Sequence, residues 1–271
     1  MTHYVISFSG GVGSAATVLL AHKMKLKYTA VFADTLIEDE DLYRFMSDIE
    51  RVTKPIVKLK NGMTPWDVFV KERYIGNSRT AHCSQRLKTD VVREWMMENC
   101  PNSTLVLGMS LEEHERIERA KKKWSPIKVT SLLIENNINS RCTIESLIHD
   151  QNIPLPRLYD YGFPHNNCGG FCCRAGLTQF ATLLSVFPER FEWHVQQEKQ
   201  AYAKIGPTAR PFLKHMKNGV TSYLTLETFR NMIQKGEIDP PKYDYGGCAC
   251  FVDEIEDFTG TDSKSEIEDF T

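Results

Sequence analysis

Short apolar runs alternate with segments of helical periodicity along the first half of the chain. The runs are rich in β-branched and aromatic residues, and polar or glycine-containing turns follow them. Strands that alternate with helices at this spacing predict a parallel sheet with helices on both faces. The pattern therefore predicts an α/β fold with a doubly wound parallel sheet. The expected strands are residues 4–6, 28–33, 55–59, 104–107 and 126–133.

A glycine-rich turn, Ser9-Gly10-Gly11-Val12-Gly13-Ser14, follows the first run and precedes an apolar helix. A strand, a glycine turn and a helix direct free backbone N–H groups and a helix N-terminus at one spot. Glycines let the backbone approach a ligand, and the serines add hydroxyl donors. We expect an anion there, and a nucleotide phosphate is its natural form.

Two kinds of nucleotide site agree with these residues. Gly11-Val12-Gly13-Ser14-Ala15-Ala16 satisfies the dinucleotide fingerprint G-x-G-x-x-A, and Asp34 follows the second strand at about the right distance. NAD(P) binding is therefore one alternative. The other is a loop that holds the pyrophosphate of ATP, and the remaining motifs decide between them.

The sequence pattern changes near Ile153, where an irregular segment with several prolines and tyrosines replaces the alternation of strands and helices. We expect three parts. They are an α/β nucleotide-binding domain at 1–152, a smaller, mostly helical, cysteine-containing part at 153–252, and an acidic tail at 253–271. The tail repeats Glu-Ile-Glu-Asp-Phe-Thr and has little apolar content, so we expect it to be disordered.

Composition narrows the class of protein. The 271 residues are 41% hydrophobic, which is enough to build a sizeable core, and the net charge is −2. That charge does not indicate a nucleic-acid partner, although Lys121-Lys122-Lys123 leaves one open. No stretch approaches the roughly 18 apolar residues that would span a bilayer. We expect a cytoplasmic protein without a membrane partner.

Eight cysteines in such a chain indicate metal or redox chemistry more than a disulfide framework. Four of them flank Gly-Gly pairs, whose N–H groups can bond a metal-bound sulfur. These four are Cys168, Cys172, Cys248 and Cys250. They predict a zinc or iron–sulfur site, with His165 or Cys83 as a further ligand. A redox thiol pair and structural thiols are the alternatives.

Cations crowd around another cysteine, Cys83, in the segment Arg79 to Lys88. Several positive charges near a thiol lower its pKa, or they mark a second anion site. A solvated basic loop is the plainer alternative.

Four segments in this order resemble the phosphoadenylyl-sulfate reductase family of the PP-loop ATP pyrophosphatase superfamily. They are Ser7–Ser14, Phe32–Thr35, Cys83–Lys88 and Leu107–Arg116. The Cys-x-x-Arg-x-Lys motif also resembles the sulfur-transfer enzymes of DNA phosphorothioation. The segment from His165 to Cys172 resembles an often phage-encoded branch of the family.

The resemblance implies an enzyme that uses ATP and Mg²⁺ to adenylate a substrate with release of pyrophosphate. It assigns nucleotide binding to Ser7, Ser9, Gly10, Gly11, Gly13, Ser14, Asp34 and Gly108. Arg86, Lys88 and Arg116 would neutralise the charge that develops on the phosphorus. Cys83 or a cysteine-bound cluster would then relay sulfur to an acceptor that the sequence does not identify.

Two features depart from the family pattern. The acidic residue that is common before the last serine of the loop is Gly13 here. This favours, as an alternative, a module that binds or sequesters a nucleotide without cleaving it. The C-terminal Glu-Cys-Gly cysteine of the reductases has no counterpart after Cys250, so assimilatory sulfate reduction is not expected. Homodimer formation stays open.

Overall fold

The computed structural model of the protein describes residues 2–217, 219–239, 244 and 246. Cys248, Cys250 and the acidic tail lie outside the described residues. The strands are β1 Tyr4–Ser7, β2 Tyr28–Ala33, β3 Ile56–Leu59, β4 Thr104–Leu107, β5 Val129–Thr130, β6 Leu213–Lys217 and β7 Val220–Leu224. The helices are α1 Val12–Lys23, α2 Glu40–Val52, α3 Pro65–Lys71, α4 His82–Ser84, α5 Asp90–Asn99, α6 His114–Trp124, α7 Leu132–Glu135, α8 Arg141–His149, α9 Arg157–Asp160, α10 Leu177–Val186, α11 Pro188–Ile205 and α12 Leu226–Gln234.

The first five strands form one parallel sheet in the order β3-β2-β1-β4-β5. Successive side chains of a strand point to opposite faces, and both faces of β1 are buried. Ile6 packs in the cluster that contains α1, α2 and α8, whereas Val5 packs with α5 and α6. Helices therefore cover both faces, and the predicted doubly wound α/β fold is confirmed.

The last predicted strand is shorter than expected. Only Val129–Thr130 pairs with β4, and the predicted extension to Leu133 is wrong. The Ser131 side chain accepts a hydrogen bond from the Ile134 N–H and caps α7, so the apolar residues after it pack as a helix.

The part after residue 153 is largely helical, as predicted, but it also contains the antiparallel hairpin β6-β7. Its hydrophobic cluster includes helix α3 from the first part. The indole N–H of Trp66 donates to His194 Nδ1 of α11 at 3.0 Å, and both side chains are buried. The core thus crosses the predicted boundary near residue 153, and that boundary stays a prediction.

A buried carboxylate ties the second half of the chain to the sheet. Asp39, which is 1% exposed, caps α2 and accepts hydrogen bonds from Arg157 at 2.8 Å and Arg190 at 2.9 Å. Burial alone would raise the pKa of Asp39, but these hydrogen bonds hold it below the ordinary value. Arg190 also donates to the Gly169 carbonyl at 2.9 Å, which positions the glycine–cysteine segment.

No helix within the described residues is both long enough and apolar enough to span a lipid bilayer.

Candidate functional site

A pocket of about 350 Å³ opens at the carboxyl ends of β1 and β4; we call it the loop pocket. These strands are neighbours in the sheet although they are not consecutive in the chain. The chain winds outward from β1 in one direction and from β4 in the other, and ligands of doubly wound sheets bind at such switch points. The volume lies in the range of small-molecule sites.

The glycine turn forms one wall of the loop pocket. Gly11 is the N-cap of α1, so Val12, Gly13 and Ser14 begin the first turn of the helix. The N–H groups of Gly13 and Ser14 have no acceptor among the described residues, as expected for a first helical turn. The Ser14 hydroxyl donates to the Gly11 carbonyl at 2.8 Å and accepts from the Ser9 N–H at 3.1 Å. Hydrogen bonds of its own serines therefore fix the backbone conformation of the turn.

Two glycines bring the turn against the end of β4. A Cβ atom on Gly13 would lie 2.4 Å from the Gly108 carbonyl oxygen, and one on Gly108 would lie 2.5 Å from the Ser14 nitrogen. Both contacts involve backbone, which cannot move aside cheaply. The missing acidic side chain at position 13 thus has a structural cause, because the two main chains touch there.

Residues from the second half of the chain close the loop pocket. The buried Asn166 donates its Nδ2 to the Gly10 carbonyl at 2.8 Å, and its Oδ1 has no hydrogen-bond partner among the described residues. The Tyr159 hydroxyl accepts from the Val12 N–H at 3.3 Å, and the Arg141 guanidinium lies 4.4 Å from the Tyr159 ring centroid. None of these three residues was predicted from the sequence. The polar cluster His165-Asn166-Asn167 before Cys168 was the sequence signal that could have indicated that this segment closes the pocket, as a cap over the glycine turn.

Two of the predicted cations line the loop pocket. Lys88 is 5% exposed and lies on a π-helical turn, Gln85–Thr89, of a kind common at functional sites. Arg116 lies on α6 and pairs with Glu113, which also accepts from the Ser110 N–H. The lining of the pocket therefore combines two cationic side chains with the free N–H groups of the turn.

Most of the predicted nucleotide ligands line this pocket as well. They are Ser7, Ser9, Gly11, Gly13, Ser14 and Gly108. Gly10 does not line the pocket, but it gives the turn a residue with a positive φ of 81°, and its carbonyl accepts the hydrogen bond from Asn166.

Three predicted site residues lie elsewhere. Asp34 accepts from the Leu36 N–H and from the Tyr43 hydroxyl, and it does not line the loop pocket. Arg86 is half exposed and pairs with Glu72 and Asp90. Cys83 lines a second cavity, which Lys88 also borders.

This second cavity, which we call the thiol cavity, has a volume of about 30 Å³. Four thiols line it together with Lys88, which borders both cavities. They belong to Cys83, Cys168, Cys172 and Cys173. The Sγ atoms of Cys83 and Cys173 are 3.9 Å apart, and Lys88 Nζ donates to Cys168 Sγ at 3.8 Å.

A buried carboxyl group, that of Glu38, accepts a hydrogen bond from the backbone of the cysteine segment. Glu38 accepts hydrogen bonds from the Thr35 hydroxyl at 2.8 Å and from the Cys168 N–H. Burial raises the pKa of Glu38, while the Lys88 charge and the Thr35 hydroxyl act against that rise. Cys168 has a φ of 52°, a left-handed conformation that these contacts help to hold.

The predicted metal ligands are divided between described and undescribed residues. Cys168 and Cys172 line the thiol cavity, whereas Cys248 and Cys250 lie outside the described residues. Within the described part of the chain, no three His, Cys, Asp or Glu side chains are arranged to hold a metal ion. The four-cysteine ligand set stays a prediction.

Comparison with known proteins identifies the family. The chain is 25% identical over 193 residues to the uncharacterized protein MJ0973 of Methanocaldococcus jannaschii; this covers 68% of the chain and 45% of that relative, so the chain spans less than half of it. A crystal structure of phosphoadenylyl-sulfate (PAPS) reductase from Candida auris in a phosphate complex is 14% identical, with a TM-score of 0.45 over 60% of this chain and 79% of that one. A sequence model of the phosphoadenosine phosphosulfate reductase domain matches residues 3–211. The chain therefore belongs to the phosphoadenosine phosphosulfate reductase family.

Proposed function

We propose that the protein binds ATP in the loop pocket and adenylates a substrate with release of pyrophosphate. One observation carries the proposal. The free N–H groups of Gly13 and Ser14 and the buried Lys88 face one pocket at the switch point of the sheet. A helix N-terminus and a buried cation together favour a multiply charged anion.

The lining residues divide into phosphate and nucleoside groups. The turn and Lys88 would hold the β- and γ-phosphates. Tyr159 and Arg141 supply an aromatic and cationic surface at the capped side, where an adenine ring can pack. The unpartnered Oδ1 of Asn166 would accept a hydrogen bond from the ligand.

Glu112 and Glu113 provide carboxylates at the edge of the loop pocket. Since Glu113 is engaged with Arg116, Glu112 is the residue that would hold Mg²⁺. Magnesium sites commonly use one or two carboxylates and complete the shell with phosphate oxygens and water. The donor set therefore fits a nucleotide-bound Mg²⁺, which would neutralise phosphate charge.

In the proposed reaction a substrate oxygen forms a bond to the α-phosphorus, and the bond to the bridging oxygen of pyrophosphate breaks. Negative charge grows on the leaving group, which faces the turn. Lys88 and Arg116, which line the pocket, would stabilise that charge. Arg86 was predicted to share this role, but its pairs with Glu72 and Asp90 lie outside the pocket lining.

Calorimetry with ATP, adenylyl sulfate, its 3′-phosphorylated form and NAD(P) tests the binding step. We expect ATP or an adenylyl nucleotide to bind with a micromolar Kd. Binding of NAD(P) together with indifference to every adenylyl nucleotide would refute the proposal. A pyrophosphate-release assay with labelled ATP, Mg²⁺ and candidate acceptors then tests the chemistry.

The Gly13–Gly108 contact favours a second candidate, a module that binds a nucleotide without cleaving it. No side chain fits at position 13, so the acidic group common in related loops is absent. Tight ATP binding without pyrophosphate release, across acceptors that carry oxyanion or hydroxyl groups, would favour this candidate.

We further propose that sulfur chemistry follows adenylation, with Cys83 or a cluster on Cys168, Cys172, Cys248 and Cys250 as the relay. Anaerobic purification followed by iron, sulfide and zinc analysis tests the cluster. A cytoplasmic location, a homodimer, a phage-type branch and the domain boundary near residue 153 stay predictions that support no step of this mechanism.

A further inference from the structure

Two thiols that are 90 residues apart in the chain meet in the thiol cavity. Cys83 belongs to α4, and Cys173 belongs to the segment that follows the cap of the loop pocket. Their Sγ atoms are 3.9 Å apart, which is hydrogen-bond distance for sulfur and about 2 Å more than a disulfide bond. A disulfide between them would require the two sulfurs to approach by that amount.

The two thiols differ in accessibility. Cys173 is 3% exposed, and the turn at Gly76 closes over it, since a Cβ atom there would lie 2.9 Å from its Sγ. Cys83 is half-buried and starts a cation-rich segment. Cys83 is thus the thiol that a small molecule reaches first.

No group of three ligands is arranged for an ion among the described residues. Cys168, which also lines the cavity, accepts a hydrogen bond from Lys88 Nζ at 3.8 Å. The cavity has room for about one or two water molecules. The arrangement is that of a dithiol with a third thiol, Cys172, beside it.

We propose that Cys83 and Cys173 form a redox-active dithiol that reacts with small-molecule disulfides of the glutathione type. The Cys83 thiolate attacks one sulfur of the disulfide, forms a mixed disulfide and releases one small thiol. Cys173 loses its proton to water and attacks the Cys83 sulfur, which releases the second small thiol. The protein loses two hydrogens and two electrons, and the small disulfide is reduced to two thiols.

The position of the pair connects this chemistry with the loop pocket. Cys83 precedes the π-helical turn that carries Lys88, and Cys173 shares a segment with Cys168, which contacts Lys88. A Cys83–Cys173 bond would link the two segments that hold this lysine. The dithiol itself does not depend on the proposed adenylation, because its reaction needs no nucleotide.

The test uses the full chain, purified anaerobically and fully reduced, then treated with a small excess of oxidised glutathione. Mass spectrometry of the intact protein should show the loss of two hydrogens in most molecules, and peptide mapping should place the bond between Cys83 and Cys173. Cys173→Ser should instead keep a stable mixed disulfide on Cys83, and Cys83→Ser should form neither product. Cys100→Ser and Cys142→Ser, which change cysteines outside the cavity, should behave like the parent protein.

Several results would overturn the proposal. They are a bond between any other pair, no bond after prolonged oxidation, or one iron or zinc per chain that protects Cys83 and Cys173 from alkylation. The test depends on peptide mapping of the parent protein, so it remains valid even if the Cys173→Ser variant folds poorly. ATP binding by the reduced protein is measured in parallel. If the reduced protein does not bind ATP but the Cys83–Cys173 disulfide forms on oxidation, only the proposed function is contradicted. If ATP binds but the disulfide does not form, only the dithiol is contradicted.

Discussion

The loop pocket and the thiol cavity share Lys88 in their linings, and they are built in different ways. The pocket has a volume of about 350 Å³ and a mixed polar and apolar lining, and its main donors are backbone groups at a strand end and a helix N-terminus. The cavity is small, and its functional groups are side chains that loops far apart in the chain bring together. A site made of backbone depends on local sequence, whereas a site made of side chains depends on packing.

The strongest test of the backbone-built pocket is Gly13→Ala. The added Cβ would lie 2.4 Å from the Gly108 carbonyl, so α1 and the end of β4 must separate. We expect nucleotide affinity to fall by more than 100-fold and the free energy of unfolding to fall by about 1–3 kcal/mol. Calorimetry and denaturant unfolding measure both.

Gly11→Ala is the matched control in the same turn. Its Cβ would meet the Tyr159 hydroxyl at 3.3 Å, a contact that a small shift relieves. Equal effects of the two variants would show that the turn, and not the contact with β4, limits binding.

Lys88→Met tests the residue that the two cavities share. It removes a buried positive charge while keeping an apolar stem. We expect ATP affinity to fall by roughly 10- to 100-fold, because charge-assisted contacts to phosphate contribute about 1.5–3 kcal/mol. The Cys83–Cys173 disulfide should still form.

Lys121→Met, which removes an exposed charge on α6, is the control for net charge. If both lysine variants weakened binding alike, the effect would be long-range electrostatics and not a contact in the pocket.

Asn166→Asp tests the cap that the second half of the chain places over the turn. The carboxylate would face the Gly10 carbonyl, where the amide now donates at 2.8 Å. We expect ATP affinity to fall by about 10-fold, since repulsion and a lost donor cost about 1–3 kcal/mol. Asn152→Asp, an exposed change at the end of α8, should leave the Kd unchanged. A normal Kd for Asn166→Asp would show that the turn holds its shape without the cap.

Glu198→Gln tests α11, which packs in the same hydrophobic cluster as Cys83 and Cys173, and it should affect the loop pocket least. Burial raises the pKa of Glu198, which accepts from the Leu226 N–H, to about 7. A folded-state pKa above the unfolded one means that the folded protein holds the extra proton between about pH 4.5 and 7. Stability is therefore full below pH 4.5 and falls as the pH rises through 7.

The variant should lose this pH dependence, which amounts to at most about 3 kcal/mol. Thermal unfolding from pH 5 to pH 8 measures it, with the parent protein alongside. An unchanged slope would mean that another group causes the pH dependence. ATP affinity at fixed pH should be the same in both proteins.

The elements that local pattern predicted best are those with strong local signals. β2 and β4 have the predicted bounds, because a buried parallel strand is a continuous apolar run between polar turns. The hairpin β6-β7 was missed, since many of its side chains, such as Met216 and Val220, are exposed and show no clean alternation. Strand pairing there is a tertiary outcome.

The sequence by itself determined the parallel α/β sheet, the glycine turn at the head of α1 and the family, because each depends on residues close together in the chain. Only the tertiary structure decided that Asn166 and Tyr159 close the pocket, that Arg86 faces Glu72, and that Cys83 meets Cys173. Those contacts join residues 14 to 156 positions apart in the chain. Tyr159 packs in one hydrophobic cluster, whereas Cys83 and Cys173 pack in another, and no local pattern encodes that packing.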